Sequence, residues 1–250
     1  MEPKVVNGVF EGGGIRGIAL AGAAAGAMDQ GYRFARVAGT SAGALVASLI
    51  AAGYEADELS EAVCQVDWPG LLDSVPGRRI PLVGNHLALV LWKGMYHGDR
   101  LEEAWRELLA RKGVRTFGDL EPGSLRVVVT DVTHQKGVVF PEGLEAYGIE
   151  GRRFPVARAV HMSSAVPFVF RPVPLYDLLN GERVFFADGA LASNFPVRLV
   201  GGERPVLGFR LTDADSDHPH EKIRGPASLA RAVVGSGIRA REGLPGYSTN

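Results

Sequence analysis

The chain has 250 residues, 46% of them hydrophobic, and a formal net charge of −1 at pH 7. That length and apolar fraction predict one folded domain with an ordinary buried core, and the near-zero charge offers no basic surface for nucleic acid. The single cysteine, Cys64, rules out an intrachain disulfide and a cysteine metal cluster. Because Cys64 falls in a helix-like stretch without a glycine turn, we expect it to be a small buried side chain.

Nothing in the sequence predicts a membrane span or an export signal. No apolar stretch reaches the ~20 residues that a transmembrane helix needs, and the first residues lack the charged-then-apolar pattern of a secretory leader. We therefore expect a cytoplasmic protein. The recognisable motifs lie between residues 5 and 211, and we expect residues 212–250 to be a partly flexible extension of the same single domain, 1–250.

The first part of the chain repeats one strand–turn–helix pattern. Apolar residues 5–10 predict a first strand and the helix formers of residues 15–30 a first helix. Residues 34–39 and 42–52 predict a second pair in the same way. In both units a glycine-containing turn joins the strand to the helix, which is where catalytic or binding groups are found in α/β proteins.

Strands and helices continue to alternate along the rest of the chain. A helix is predicted at residues 56–66, irregular chain at 68–98, and an amphipathic helix from Asp99, its predicted N-cap, to residue 112. The other predictions are strands at 125–130, 138–140, 184–187 and 206–211 and a helix at 153–161. The alternation predicts an α/β fold, a three-layer sandwich in which helices flank a central, mostly parallel sheet.

The second turn carries the strongest single chemical signal. Residues 39–43 read Gly-Thr-Ser-Ala-Gly, the Gly-x-Ser-x-Gly form of a nucleophile elbow. In such a turn Gly39 and Gly43 are required because the backbone leaves no room for a Cβ atom, and the strain exposes the hydroxyl of Ser41. The ordinary alternative for Ser41 is a helix N-cap.

The first turn is rich in glycine. Residues 11–17 read Glu-Gly-Gly-Gly-Ile-Arg-Gly, so Gly12, Gly13, Gly14 and Ile15 can present backbone N–H groups to an oxyanion. The glycines at 12, 14 and Gly17 also satisfy the Gly-x-Gly-x-x-Gly fingerprint of dinucleotide sites. That fingerprint needs an acidic residue at the end of the second strand, where this chain has the serine turn, so we favour the oxyanion pocket.

A third motif completes a pattern with a known counterpart. Residues 185–190 read Phe-Phe-Ala-Asp-Gly-Ala and contain Asp188 and Gly189. The order of the triple-glycine turn, the serine turn and the Asp-Gly-Ala turn resembles that of the patatin-like phospholipases. The segments at residues 163–167 and 194–197 are similar to those on either side of the family's aspartate strand, so the resemblance covers residues 5–211.

The resemblance implies a lipid acyl hydrolase that uses a Ser–Asp dyad without metal or other cofactor. Ser41 is then the nucleophile and Asp188 the base, and the implied substrate is a phospholipid, a lysophospholipid or a neutral acyl ester. Transient contact with a membrane surface follows from such a substrate. Arg16 either holds the glycine loop in shape or meets a substrate phosphate, and Gly189 permits the tight turn after the aspartate.

Other interpretations of the same residues stay open. A Ser–Asp–His triad with His218 or His220 would follow the chain order of α/β-hydrolases. The same dyad could transfer the acyl group to an alcohol, or the fold could serve as a non-catalytic lipid-binding module. Residues 80–96 contain an apolar run that is either irregular core or a flap over the site.

Two acidic features are expected to have no part in catalysis. Asp131 follows the predicted strand at residues 125–130 and is expected to cap a turn. The polar stretch 213–220 contains aspartates and histidines, but such stretches are usually only solvated, so no metal site is expected there. The sequence does not indicate an oligomeric state.

Overall fold

The computed structural model of this chain describes residues 3–73 and 94–212. Its strands, in chain order, are β1 (Lys4–Phe10), β2 (Tyr32–Thr40), β3 (Gly94–Tyr96), β4 (Leu125–Asp131), β5 (Lys136–Phe140), β6 (Phe168–Phe170), β7 (Val173–Asp177), β8 (Glu182–Asp188) and β9 (Val206–Phe209). Its α-helices are α1 (Ile18–Asp29), α2 (Ala42–Ala51), α3 (Ala56–Cys64), α4 (Asp99–Arg111) and α5 (Val156–Ser163). No helix within the described ranges is long and apolar enough to span a bilayer.

Seven of these strands form one sheet in the order β7–β8–β4–β2–β1–β9, with β5 paired to β4 as well. The pairs among β9, β1, β2 and β4 are parallel, and β4 is antiparallel to both β5 and β8. Because β7 is antiparallel to β8, it runs in the same direction as β4. The predicted α/β fold with a mostly parallel sheet is therefore confirmed, and only β5 and β8 run the other way.

The pairing along β4 brings two strand ends together. One edge of β4 pairs with β5 along residues 127–131. The opposite edge pairs with β2 along residues 125–128 and with β8 along residues 129–131. There Thr40 of β2 is opposite Val128, and Asp188 of β8 is opposite Val129. Since β2 and β8 run in opposite directions, their carboxyl ends meet along this edge, one residue of β4 apart.

Helix α2 follows β2 and is apolar on all sides. All of its residues from Ala42 to Ile50 are buried, and the helix packs on β1, β2 and β4. Its only polar side chain, Ser48, donates its hydroxyl to the Leu45 carbonyl at 2.7 Å. A helix that is hydrophobic all round must be enclosed by other elements, so α2 fixes the turn before it rigidly in the core.

Two local predictions are wrong. Gly98, not Asp99, is the N-cap of α4, and the carboxylate of Asp73 accepts the N–H groups of Gly98 (2.7 Å) and Asp99 (3.0 Å) from outside the helix. Cys64 is exposed, because it is the last residue of α3 and lies off the buried stripe of that helix. Most of the segment 80–96, expected to be either irregular core or a flap, lies outside the described residues, which resume at residue 94. The stretch 213–220, with His218 and His220, also lies outside them.

Strand β7 was not predicted, although it forms a hairpin with β8. Its residues alternate between buried and exposed, with Val173, Leu175 and Asp177 facing inward. Pro174 is opposite Phe185, whose N–H and carbonyl bond to Thr133 and Val132 on the other side, so the missing N–H of Pro174 in this edge strand does not break the pairing. The alternation followed by the turn at residues 178–181 was the available signal for this hairpin.

Asp131 ends β4 and organises the turn that follows. Its Oδ1 atom accepts the backbone N–H groups of Thr133 (2.9 Å) and His134 (3.0 Å). Its Oδ2 atom accepts the hydroxyl of Tyr147 at 2.6 Å and lies 2.7 Å from Nδ1 of His134. The prediction that Asp131 caps a turn is confirmed.

These contacts shift two pKa values in opposite directions. Burial alone raises the pKa of Asp131, but hydrogen bonds from Tyr147 and His134 outweigh it and hold the pKa below its usual value. The hydrogen bond to Asp131, and then the charge of that carboxylate, raise the pKa of His134. The stability that His134 contributes is therefore fully present below its unfolded pKa of about 6.5 and is lost as the pH rises through the folded value.

The first prediction concerns the pH dependence of folding. Between pH of about 6 and about 9, the melting temperature of the wild type should fall more than that of His134→Gln, which keeps a donor but does not titrate. Asp131 stays ionised throughout this range because its pKa is lowered. Scanning calorimetry at constant ionic strength measures the difference, and parallel curves for the two proteins would contradict the prediction.

Candidate active site

Ser41 lies in a strained turn between β2 and α2. Its backbone has φ 53° and ψ −124°, a conformation that costs an L-residue of order 1–3 kcal/mol. A Cβ atom on Gly39 would lie 2.4 Å from the Gly43 carbonyl oxygen, and one on Gly43 would lie 2.2 Å from the Phe10 carbonyl oxygen. Both glycines are therefore required by backbone contacts, as the elbow pattern predicts.

The end-to-end approach of β2 and β8 brings Ser41 to Asp188. The hydroxyl of Ser41 donates to Oδ2 of Asp188 at 2.6 Å, and Oδ1 of Asp188 accepts the N–H of Ala190 at 2.8 Å. Asp188 is 2% exposed. A Cβ atom on Gly189 would lie 2.1 Å from the Val128 carbonyl oxygen, so only glycine fits directly after the aspartate.

Burial dominates the electrostatics of Asp188. Removal from water disfavours the carboxylate and raises the pKa of Asp188 to about 6, even though the hydrogen bonds from Ser41 and Ala190 act in the opposite direction. Among the described residues no histidine hydrogen-bonds to Ser41 or Asp188, and no group of three or more His, Cys, Asp or Glu side chains could hold a metal ion.

The glycine turn lies beside Ser41. A short 3₁₀ turn covers Gly14–Gly17, and a Cβ atom on Gly17 would lie 2.3 Å from Cβ of Ala42, so this turn packs tightly on the start of α2. Gly12 donates its N–H to the carbonyl of Asn194 at 3.1 Å. The N–H groups of Gly13 and Gly14 donate to no backbone carbonyl within residues 3–73 and 94–212.

The remaining residues of the turn face outward. Gly14 has φ 58°, with open space where a side chain would be, and Ile15 is 61% exposed. Gly14 and Ile15 both line a cavity that also contains Ser41. The side chain of Arg16 is exposed. The structure thus brings Gly14, Ile15 and Ser41 to one cavity wall.

The cavity has a volume of about 500 Å³, within the usual range for small-molecule sites. Its wall is almost entirely apolar apart from Ser41 and Ser164. The described residues that line it are Gly14, Ile15, Ser41, Ala42, Leu45, Trp68, Pro69, Leu71, Leu72, Leu101, Ser164, Val166, Val169 and Phe170. Trp68 to Leu72 belong to the segment predicted as irregular, so that segment supplies part of the wall.

Sequence reasoning missed the role of Ser163, the last residue of α5. Its hydroxyl accepts the N–H of Ser41 at 2.9 Å and donates to the carbonyl of Val128 at 2.6 Å. Ser163 is fully buried, so water cannot replace either bond. The side chain links the strained turn to β4 at the point where β2 and β8 meet. The resemblance of residues 163–167 to the family segment was the only sequence signal for it.

Known proteins share sequence and fold with this chain. A family model described as "Patatin-like phospholipase" matches residues 8–200. The chain is 42% identical over 231 residues to the uncharacterized protein YqhO of Bacillus subtilis (strain 168), which covers 91% of this chain and 78% of that protein. It is 26% identical over 206 residues to the uncharacterized protein R571 of Acanthamoeba polyphaga mimivirus, which covers 79% of this chain and 62% of that protein.

The fold also resembles that of VipD from Legionella pneumophila. The TM-score is 0.54 at 20% identity, and the match covers 82% of this chain and 49% of VipD. At that identity the likeness shows the fold alone. The chain has an α/β fold in which Ser41 occupies a strained strand-to-helix turn of the Gly-x-Ser-x-Gly form. The chain belongs to the patatin-like phospholipase family, and this membership supports a lipid hydrolase activity.

The second prediction tests the buried link at Ser163. In Ser163→Ala the N–H of Ser41 and the carbonyl of Val128 lose their partner, at a cost of about 1–3 kcal/mol for each buried group. Ser48→Ala is the matched control, because that serine is also fully buried and its hydroxyl contacts two groups, the Leu45 carbonyl and Nε1 of Trp105. Unlike the partners of Ser163, these two groups hydrogen-bond to each other at 3.2 Å and so keep a partner in the variant. Denaturant unfolding should show a clearly larger loss for Ser163→Ala, and equal losses would contradict the assigned role.

Proposed function

We propose that this protein is a serine carboxylic-ester hydrolase acting on lipid acyl esters through a Ser41–Asp188 dyad. The observation that carries the proposal is the 2.6 Å hydrogen bond from the Ser41 hydroxyl to the buried Asp188 carboxylate. The glycine turn and the apolar cavity beside Ser41 support it. A nucleophile held by a base within hydrogen-bond reach is the arrangement that covalent acyl transfer needs.

The reaction begins when Oγ of Ser41 attacks the ester carbonyl and its proton passes to Asp188. The tetrahedral oxyanion accepts hydrogen bonds from the glycine turn. Of the four residues expected to hold it, Gly12 already donates to Asn194, so Gly13, Gly14 and Ile15 are assigned this role. Asp188 then gives the proton to the leaving alkoxide, and an acyl-enzyme on Ser41 remains.

Hydrolysis of the acyl-enzyme repeats these steps with water. Asp188 accepts a proton from the attacking water, the same turn holds the second oxyanion, and the proton returns to Oγ of Ser41 as the fatty acid leaves. A carboxyl group of ordinary pKa, about 4, is a weak base for such transfers. Burial, which raises the pKa of Asp188 to about 6, makes its carboxylate a stronger base near neutral pH.

The cavity supports a lipid substrate. Its apolar wall suits an acyl chain, with the ester carbonyl at Ser41 and the rest of the molecule directed past Ile15 and Arg16 at the surface. A phospholipid, a lysophospholipid or a neutral acyl ester meets this description. Such substrates lie in lipid surfaces, so transient contact of the cavity mouth with a membrane belongs to the proposal.

The third prediction tests the dyad directly. Wild type should hydrolyse p-nitrophenyl esters and be labelled by a fluorophosphonate at Ser41. Ser41→Ala and Asp188→Asn should lose on the order of 10⁴–10⁶ in rate, because each removes a partner in the same proton transfer. Asp177→Asn is the matched control, since Asp177 is equally buried but caps the β7–β8 turn.

The outcomes separate the alternatives. Full loss in both dyad variants with an active Asp177→Asn supports the proposal. A wild type that neither hydrolyses the esters nor reacts with the fluorophosphonate would favour a lipid-binding module without catalysis. Acyl transfer to an added alcohol that exceeds hydrolysis would identify a transacylase with the same dyad.

The fourth prediction is a pH profile. The base must be ionised, so kcat/KM should rise about tenfold per pH unit below the pKa of Asp188 and level off above it. With that pKa at about 6, the inflection is expected near pH 6. Initial rates at constant ionic strength, with circular dichroism confirming the fold at each pH, measure it. A profile with no inflection between pH of about 5 and about 8 would contradict Asp188 as the base.

A further inference from the structure

The buried carboxylate of Glu11 lies next to the candidate site but has no role in the proposed mechanism. Glu11 directly precedes the three glycines and is 2% exposed. A carboxylate is costly to bury unless hydrogen bonds or opposite charges compensate for the lost water. Its contacts therefore show what its burial achieves.

Glu11 binds two segments that are distant in sequence. Its Oε2 atom accepts the N–H of Leu211 at 2.6 Å, and its Oε1 atom accepts Nδ2 of Asn194 at 3.4 Å. Nε of Arg210 lies 3.5 Å from the same Oε1 atom. One carboxylate thus joins the glycine turn to the loop after β8 and to the segment after β9.

The same two segments hold the glycines themselves. The Asn194 carbonyl accepts the N–H of Gly12 at 3.1 Å. Cδ1 of Leu211 occupies the space beside Gly13, only 2.0 Å from where a Cβ atom would be. If Glu11 released these segments, the glycines would lose the surfaces against which they pack.

We propose that Glu11 is a positioning residue that fixes the glycine turn in its oxyanion-binding conformation by fastening it to Asn194 and Leu211. The inference rests on the proposed function, because it gives the turn a task that requires rigidity. Oxyanion donors lower a barrier only when they are held in place before the charge develops. A loosened turn should therefore slow the chemical step more than it weakens ester binding.

The test uses Glu11→Gln, which keeps the shape but turns one acceptor oxygen into a donor. That side chain cannot accept from Leu211 N–H on one atom and from Asn194 and Arg210 on the other. With a p-nitrophenyl ester as substrate, kcat should fall on the order of 10- to 100-fold while KM changes little. This fall in kcat is no larger than the one expected when a whole oxyanion donor is removed. Amide hydrogen exchange of the peptide covering residues 12–15 should become faster.

A second variant keeps the inference testable if Glu11→Gln does not fold. Arg210→Gln removes only the partly exposed partner, and we expect a smaller fall in kcat and a smaller rise in exchange. Its matched control is Arg33→Gln, because Arg33 is 50% exposed against 51% for Arg210 and lies 3.6 Å from Glu55. For Glu11→Gln the control is Glu102→Gln, which alters a side chain that is 17% exposed and bound to His161 and Arg158.

The outcomes distinguish this inference from the proposed function. Lower kcat with faster exchange in Glu11→Gln, and neither in Glu102→Gln, supports the positioning role. Unchanged kcat and exchange in both Glu11→Gln and Arg210→Gln overturns it, even when Ser41 proves to be the nucleophile. If the wild type hydrolyses no ester, the proposed function fails, and unchanged exchange then overturns the fastening of the turn while faster exchange supports it.

Discussion

Two strands share one edge of β4 and run towards each other along it. Thr40 at the end of β2 is opposite Val128, and Asp188 at the end of β8 is opposite Val129. The distance between Ser41 and Asp188 is therefore a consequence of strand register. A slip of one residue in either strand would turn its side chains to the other face and separate the pair. The Val128 carbonyl marks the junction, because it accepts the Ser163 hydroxyl and leaves no room for a Cβ on Gly189.

Around this junction, side chains with no part in the chemistry hold backbone segments in place. Ser163 ties the strained turn to β4, and Glu11 ties the glycine turn to the segments after β8 and β9. Both side chains are almost fully buried and hydrogen-bond to more than one segment, so removal of either leaves buried polar groups without a partner. The candidate site is thus a set of turns whose positions depend on buried polar contacts, next to the apolar wall of the cavity.

The groups that sequence reasoning identified are those whose requirement is local. Gly39 and Gly43 are needed within one turn, so their spacing around Ser41 is visible in the sequence. The alternation of strands and helices is visible in the same way and predicts the α/β fold. The contacts it missed join distant residues: Ser163 lies 122 positions from Ser41, and Leu211 lies 200 from Glu11. Asp73 caps α4 from 25 positions before Gly98, and no local pattern distinguishes it from any other aspartate.

Burial of Asp188 also has a thermodynamic consequence for the whole fold. Because the pKa of Asp188 is raised from 3.8 to about 6, the folded chain binds this proton more tightly than the unfolded chain does. Stability is therefore lost as the pH rises from about 4 to about 6, and the loss amounts to roughly 3 kcal/mol at neutral pH. Domains of this kind have only about 5–15 kcal/mol to lose. Burial of Asp188, the proposed base, thus lowers the thermodynamic stability of the fold above pH of about 6, which is the form that a trade-off between stability and activity takes in the proposed mechanism.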